Sequence, residues 1–172
     1  MPPLYTIGHG ARKWEDFVFL LEKYGIQYLV DVRSVPYSRF HPQFNQATMK
    51  VELEKRGISY VFLGDQLGGR PQDPACFNGE GKIDYRKIRE QEFFKQGLER
   101  IKTGYQKELM LALMCSERNP CHCHRSKLIG EALWDEGIMC RHIDESGRLK
   151  DQSQVRRNME IRKAGGNLFK ED

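Results

Sequence analysis

Short apolar segments typical of β-strands alternate with predicted helices along most of the chain. The predicted strands cover residues 4–7, 28–32, 58–62, 108–114 and 139–143. The segments between them are predicted helices over residues 14–24, 45–57, 84–102 and 126–136. This order predicts the α/β class: a single domain with a mostly parallel five-stranded sheet, right-handed crossovers and helices on both faces.

Composition and charge suit a soluble globular protein. The chain has 172 residues, which is long enough to form one hydrophobic core. Its residues are 39% hydrophobic and 30% charged. No apolar run approaches the roughly 20 residues of a membrane span, and the first residues lack the charged and apolar regions of a signal peptide. We therefore expect a cytoplasmic protein without membrane partners. Five cysteines, an odd number, do not indicate a disulfide framework, so free thiols, redox chemistry and metal binding stay open.

The chain is predicted to divide at about residue 146. Residues 1–146 form the α/β domain, and residues 147–172 form a basic extension, partly helical, with a loose end from Ala164. The net charge of +4 permits nucleic-acid binding without requiring it. Basic residues gather in the extension at Arg148, Lys150, Arg156, Arg157, Arg162 and Lys163. They are interpreted either as a solvated helix face or as a contact for nucleic acid.

Chemically active side chains follow the predicted strands at the points where the strands end. They are His9, Asp31, Arg33, Glu117, Cys123, His124 and Arg125. In a parallel sheet the carboxyl ends of the strands meet at one edge, and ligands bind at that edge. We therefore expect these residues to share one site.

Arg125 and Ser126 stand at the predicted start of the helix that follows the fourth strand. Unpaired N–H groups and the helix dipole favour an anion there. Arg33, from a neighbouring strand end, is expected to clamp the same anion in a bidentate manner. The alternative is that the two arginines form structural ion pairs with Asp31 and Glu117.

Cys123 lies between two histidines and close to an arginine and to the same helix start. These neighbours favour the thiolate, so Cys123 is a candidate nucleophile or redox thiol, with His124 or His9 as its base. The alternative is a thiol that packs or orients the loop. A metal site built from Cys115, Cys121 and Cys123 with the adjacent histidines is a further alternative. Because no paired Cys-x-x-Cys motif is present, we predict neither a metal nor a cofactor.

A glycine-containing loop follows the third predicted strand. Its candidate residues are Gly64, Gly68, Gly69 and Arg70. Glycine permits close backbone approach, so this cationic loop is interpreted either as a lid over the site or as a long surface loop. The segment 37–45 mixes basic, aromatic and amide side chains, which could contact a nucleic-acid strand by stacking and through phosphates.

Several sequence blocks resemble the DUF488 family. They are residues 5–9, 31–36, 60–64 with 67–69, and 114–117 leading to 123–126. The resemblance covers most of residues 4–145 and implies an α/β domain, but it implies no reaction, because the function of that family is unknown. The family pattern matches Gly8, His9, Asp31, Arg33, Pro36, Gly64, Gly68, Gly69, Cys115, Glu117, Cys123, His124 and Arg125. It includes neither Cys121 nor His122.

These observations lead us to expect an enzyme that acts on a phosphate-bearing substrate, either a nucleotide or a nucleic acid, at the carboxyl edge of the sheet. The two arginines would bind the anion, a histidine would move protons, and Glu117 and Asp31 would orient the catalytic groups. Two alternatives stay open. One is a non-catalytic nucleic-acid-binding or interaction module, and the other is a thiol-redox or metal-binding protein.

Overall fold

The computed structural model describes residues 1–167 and contains a six-stranded sheet. The strands are β1 Leu4–Gly8, β2 Tyr28–Asp31, β3 Ser59–Phe62, β4 Leu111–Cys115, β5 Cys140–Ile143 and β6 Leu149–Asp151. Their order across the sheet is β3-β2-β4-β1-β5-β6, and neighbouring strands are parallel except for β5 and β6. The predicted α/β class with a mostly parallel sheet is therefore confirmed.

The predicted count of five strands was wrong, because β6 has no strand-like pattern in the sequence. It has only three residues, all half-buried. A turn after β5 creates it: the Asp144 carboxylate accepts the backbone N–H groups of Ser146 and Arg148. Gly147 completes this turn with a φ of +79°, a conformation that glycine adopts without steric cost. The chain thus returns antiparallel to β5 as an edge strand.

Helices cover both faces of the sheet. In the described part of the chain they are α1 Trp14–Lys23, α2 Gln46–Glu54, α3 Gly64–Leu67, α4 Tyr85–Glu90, α5 Glu92–Gln106, α6 Glu131–Asp135 and α7 Gln152–Asn167. A π-helical stretch, Arg125–Gly130, runs directly into α6. Successive residues of β4 alternate between the two cores: Met114 packs with α1 and α2, and Leu113 packs with α3, α5 and α6. Within residues 1–167, no helix combines the length and the apolarity that crossing a membrane would require.

The course of the chain opens a crevice between β2 and β4. From β2 the chain continues to α2 on one face, and from β4 it continues to the π-helical stretch and α6 on the other. Because β2 and β4 are parallel neighbours, the loops that follow them diverge at the carboxyl edge. α/β sheets bind ligands at such a point, so the fold places the candidate site between these two strand ends.

The predicted helix over residues 84–102 is in fact two helices, α4 and α5. Gln91 separates them with extended backbone (φ −73°, ψ 143°). Asp84 caps α4 by accepting the backbone N–H of Arg86, as its position before the helix indicated. Residues 147–167, predicted as a basic extension, contain β6 and α7. The predicted loose end is helical from Ala164 to Asn167, and residues 168–172 lie outside the described residues.

Candidate active site

A cavity of about 220 Å³ lies at the carboxyl edge between the ends of β2 and β4. Six of the predicted site residues line it: Arg33, Gly69, Arg70, Glu117, Cys123 and His124. Ser34, Cys115, Ser116, Tyr85 and His122 also contribute to the lining. The strand ends therefore meet at one site, as the topology predicted, although not every predicted residue reaches it.

Cys115 and Cys123 bring two sulfur atoms together at the wall of this cavity. The structure pairs them, with their Sγ atoms in direct contact and their Cα atoms 7.3 Å apart. Cys115 ends β4, and the chain returns to it through the single helical turn Pro120–His122. Asn119 caps that turn by accepting the backbone N–H of Cys121. The other cysteines, Cys76, Cys121 and Cys140, are free and buried. The cavity wall thus brings two cysteine sulfurs next to each other, which is the first requirement of a dithiol–disulfide pair.

His124 places an imidazole nitrogen beside the Cys123 sulfur. Its Nε2 lies 2.9 Å from the carbonyl oxygen of Val32. Because a carbonyl can only accept, Nε2 carries the proton, and Nδ1, 3.7 Å from Cys123 Sγ, keeps a lone pair for the thiol proton. Burial lowers the pKa of His124 to about 4, so the ring is neutral at pH 7. The Cys123 thiol therefore contacts the His124 imidazole, and the Val32 carbonyl orients that imidazole.

A backbone N–H group also contacts the Cys123 sulfur. The N–H of Arg125 donates to Sγ over 3.4 Å at the start of the π-helical stretch. A donor of this kind stabilises negative charge on sulfur. Cys115 differs, because its Sγ lies 3.5 Å from the carbonyl oxygen of Glu117, an acceptor. The two sulfurs are thus unequal, and Cys123 is the one whose surroundings favour the thiolate.

A buried ion pair holds the end of β2. The fully buried carboxylate of Asp31 accepts hydrogen bonds from Nε (2.9 Å) and Nη2 (2.7 Å) of Arg33. It also accepts the hydroxyl of Tyr60 (2.6 Å), and burial together with this carboxylate raises the pKa of Tyr60. Nη2 of Arg33 donates further to the carbonyl of Phe44. Arg33 is therefore tied to Asp31, which is the alternative that the sequence left open, while it also lines the cavity.

His9 belongs to this ion-pair network and does not line the cavity. Its Nδ1 donates to the carbonyl of Gly10 (2.9 Å), and its Nε2 accepts from Nη1 of Arg33 (3.2 Å). The ring stacks on Phe44 at 4.5 Å between centroids, and burial lowers the pKa of His9 to about 4. Since both ring nitrogens have partners, His9 supports Arg33. Of the two candidate bases, the structure brings His124 to Cys123.

Arg125 and Ser126 turn away from the cavity and into the protein. Both side chains are fully buried. Nη2 of Arg125 donates to the carbonyl of Arg118 (2.8 Å), while its Nε and Nη1 have no hydrogen-bond partner among the described residues. The Ser126 hydroxyl donates to the carbonyl of Pro120. Contrary to expectation, Arg33 and Arg125 therefore do not meet at one cavity, because the π-helical stretch buries its first two side chains.

Two glycines of the predicted loop pack against the backbone that follows β2. A Cβ on Gly64 would lie 1.8 Å from the carbonyl oxygen of Arg33. A Cβ on Gly68 would lie 2.3 Å from the hydroxyl oxygen of Ser34. Only glycine permits these approaches, so this segment, which folds as α3 from Gly64 to Leu67, is a closely packed wall of the site.

The next two residues of the loop face the cavity itself. A Cβ on Gly69 would lie 2.8 Å from Cγ of His124. The backbone N–H of Arg70 donates to the hydroxyl of Ser34 (2.9 Å), and its side chain is exposed at the cavity. Of the two interpretations of this loop, the packing supports neither a loose lid nor a free surface loop. It forms a fixed wall that carries one exposed guanidinium.

Sequence reasoning assigned no catalytic or anion-binding role to several of the lining residues. Cys115 and Ser116 stand at the end of β4, so the strand-end rule alone could have identified them. Tyr85 reaches the cavity from α4, within the long connection between β3 and β4, and no local pattern indicates that position. Among residues 1–167, no group of three or more His, Cys, Asp and Glu side chains is arranged to hold a metal ion.

Replacing Gly69 with alanine is expected to disturb the ring of His124. The new methyl group would lie 2.8 Å from Cγ and 2.9 Å from Cβ of that residue, so the ring must shift relative to Cys123. We expect Gly69→Ala to lower the free energy of unfolding by about 1–3 kcal/mol, and to slow alkylation of the reduced Cys123 thiol, measured by mass spectrometry. Gly79→Ala is the control, because a Cβ there would meet nothing within 4 Å. Equal stabilities and rates in the two variants would contradict this packing.

Stability is expected to fall as the pH drops below the ordinary pKa of histidine. Because burial lowers the pKa of His124 from 6.5 to about 4, the folded state favours the neutral ring. The stability that depends on a neutral His124 ring is fully present above pH 6.5 and is lost as the pH falls from 6.5 towards 4. Urea unfolding at about pH 7.5 and about pH 5 should therefore show a smaller loss of stability in His124→Asn than in the wild type.

The matched control for this titration is the neighbouring exposed histidine. His122→Asn should leave the pH-dependent loss of stability as it is in the wild type. If His124→Asn shows the full wild-type loss between the two pH values, the folded state does not depend on a neutral His124.

Most of the chain matches one known protein family. The model of the family described as "Domain of unknown function DUF488" matches residues 13–133, from the start of α1 into α6. This region contains both cysteines of the pair, His124, Arg33 and the glycine wall, whereas His9 precedes it. No curated protein and no solved structure matches the chain. The resemblance seen in the sequence is thus confirmed, and the chain belongs to the DUF488 family.

Proposed function

We propose that the protein catalyses thiol–disulfide exchange at this cavity, with Cys123 as the attacking thiol and Cys115 as the resolving thiol. The observation that carries the proposal is the contact between the two Sγ atoms at the wall of a cavity that a substrate can enter. A resolving thiol beside an activated one is the arrangement that exchange needs. The proposal joins two of the interpretations that the sequence left open, an enzyme and a thiol-redox protein.

Exchange begins at the thiol of Cys123. Its proton passes to Nδ1 of His124, and the thiolate attacks one sulfur of a substrate disulfide. A bond between Cys123 and that sulfur forms as the substrate S–S bond breaks, and the departing thiolate takes the proton from His124. Because the ring is neutral at pH 7, Nδ1 of His124 has a free lone pair for the thiol proton, and the protonated ring passes that proton on to the departing thiolate.

The second step uses Cys115. As its thiol loses a proton to the remaining substrate sulfur, Cys115 attacks Sγ of Cys123 and releases the second substrate thiol. One substrate disulfide is thereby reduced to two thiols, and the cysteine pair is oxidised to one disulfide. A dithiol reductant returns the pair to its starting state by the reverse exchange.

The charge at the cavity supports a substrate that carries an anionic group. Arg70 is exposed at the rim, and Arg33 and His122 also belong to the lining. Phosphate and carboxylate groups are the usual partners of an exposed guanidinium. The phosphate-bearing substrate expected from the sequence therefore stays part of the proposal, with Arg70 in the place that Arg125 was expected to hold. Glu117, the acidic member of the lining, would disfavour a second negative charge nearby.

Single-turnover reaction with an anionic aromatic disulfide, dithio-bis-nitrobenzoate, tests both steps. The reduced protein should release two coloured thiolates for each molecule, one from attack by Cys123 and one from resolution by Cys115. Cys115→Ser should release one and retain the other as a mixed disulfide that mass spectrometry assigns to Cys123. Cys123→Ser should lose the fast phase, and Cys140→Ser should behave as the wild type, because burial raises the pKa of the Cys140 thiol to about 12.

The same reaction tests the anionic part of the proposal. Cystamine, a cationic disulfide, should react more slowly than the anionic reagent, and Arg70→Ala should reduce that preference by about tenfold. Arg148→Ala removes an exposed arginine outside the cavity lining and should leave the preference unchanged. A fast phase that survives in Cys123→Ser would contradict the exchange mechanism. A preference that survives in Arg70→Ala would contradict the anion site alone.

A further inference from the structure

A larger cavity of about 780 Å³ lies beside the first, between α4, the π-helical stretch and α7. The two cavities share Tyr85 and His122 in their linings, so they are neighbours on the surface. The larger one, here named the basic groove, has six basic side chains in its lining: Arg86, Arg89, Lys127, Arg156, Arg162 and Lys163. Its acidic lining residues are Glu131 and Glu160. The fold therefore brings together, beside the active-site cavity, basic residues from three separate segments of the sequence.

Four of the six cations in the basic groove have no acidic partner among the described residues. Arg89 pairs with Asp135 at 2.6 Å, and Arg156 lies 3.4 Å from Glu131. Arg162 contacts the ring of His122. The remaining three, Arg86, Lys127 and Lys163, are exposed and form no ion pair with any residue in the described part of the chain. Exposed, unneutralised cations in a concave surface attract a polyanion.

Exposed aromatic rings lie on the loop that follows β2. Val35 of this loop lines the first cavity, and Tyr37 and Phe40 are 66% and 85% exposed. The exposed guanidinium of Arg39 stands between them in the sequence. Val35 lies two residues before Tyr37, so these rings belong to a loop that reaches the first cavity. Large exposed apolar side chains mark a surface that binds something flat and apolar. Nucleobases have such faces, and stacking on an aromatic ring is how proteins hold them without reading sequence.

We infer that single-stranded nucleic acid binds along the basic groove, with its phosphates on the groove cations and its bases on Tyr37 and Phe40 where the strand passes the active-site cavity. A single strand carries both a row of charges and a set of flat apolar faces. An acidic peptide would supply the charges but would leave the aromatic rings without a role. A duplex is read by an element that enters its groove, whereas this surface is concave. The inference goes beyond thiol exchange and does not depend on it.

The test is fluorescence anisotropy with a labelled single-stranded oligonucleotide of mixed sequence, measured on the full chain over a range of salt concentrations. The groove variant is Arg86→Ala with Lys127→Ala and Lys163→Ala. It should bind about tenfold or more weakly, and the slope of log affinity against log salt should fall by about two. The control is Lys50→Ala with Lys95→Ala and Lys107→Ala, which removes the same charge from exposed positions outside the groove. It should stay within about twofold of the wild type.

Two further variants separate this inference from its competitors. Tyr37→Ala with Phe40→Ala should weaken binding by about tenfold without changing the salt slope, because stacking carries no charge. Cys123→Ser should bind as the wild type does, so a failure of the thiol proposal leaves this test intact. Circular dichroism confirms that each variant is folded.

The inference is overturned if the control variant loses as much affinity as the groove variant, since net charge alone would then explain binding. It is also overturned if the aromatic variant binds at full strength, or if inorganic polyphosphate displaces the oligonucleotide at an equal concentration of phosphate groups. In both cases the surface is a general polyanion site. Tighter binding of a duplex of the same sequence would contradict the single-stranded partner.

Discussion

The buried ion pair between Asp31 and Arg33 is the interaction on which the site depends. A fully buried carboxylate and an almost fully buried guanidinium neutralise each other at the end of β2, through two direct hydrogen bonds. Removing one partner of such a pair leaves an uncompensated charge and typically costs about 3–5 kcal/mol. Tyr60, His9 and the Phe44 carbonyl satisfy the remaining polar groups of the pair. The network therefore fixes the direction in which the chain leaves the strand.

One side of the cavity depends on the path that the chain takes after β2. The Arg33 carbonyl and the side chain of Ser34 meet Gly64 and Gly68, so the loop that follows β3 can close against them only without side chains. The loop in turn holds the His124 ring between Gly69 and the Val32 carbonyl. The other side comes from β4, whose last residue meets the sulfur of Cys123. Two neighbouring strand ends, each with its own loop, thus create one pocket lined by an imidazole, a backbone N–H donor and two cysteine sulfurs.

Much of this arrangement could be predicted from the sequence, and the remainder could not for identifiable reasons. Alternation of strands and helices is a local signal, and it predicted the α/β class and the edge at which Arg33, Cys123 and His124 meet. The direction of a side chain at a strand end depends on packing that no local pattern encodes. Arg125 shows this, because arginine is usually exposed, yet here it is fully buried as the first residue of the π-helical stretch. His9 was placed at the correct edge but supports Arg33 and does not contact the thiol.

The small cavity that contains the two cysteines lies beside a larger groove lined by basic side chains. Basic residues from α4, the π-helical stretch and α7 become neighbours only in the folded chain, so the sequence showed the cluster after residue 147 and missed its partners at 86, 89 and 127. β6, too short to be seen as a strand, connects β5 to the start of α7. The extension is thus structurally part of the site's surroundings.

The proposed exchange reaction requires Cys115 and Cys123 to act as one redox pair. The most direct measurement equilibrates the protein in glutathione buffers of graded potential, quenches it by alkylation under denaturing conditions, and maps each cysteine by mass spectrometry. We expect Cys115 and Cys123 to convert together from two alkylated thiols to one disulfide-linked peptide pair, while Cys76, Cys121 and Cys140 stay alkylated throughout. Independent titration of Cys115 and Cys123, or a disulfide that joins either of them to a different cysteine, would contradict it.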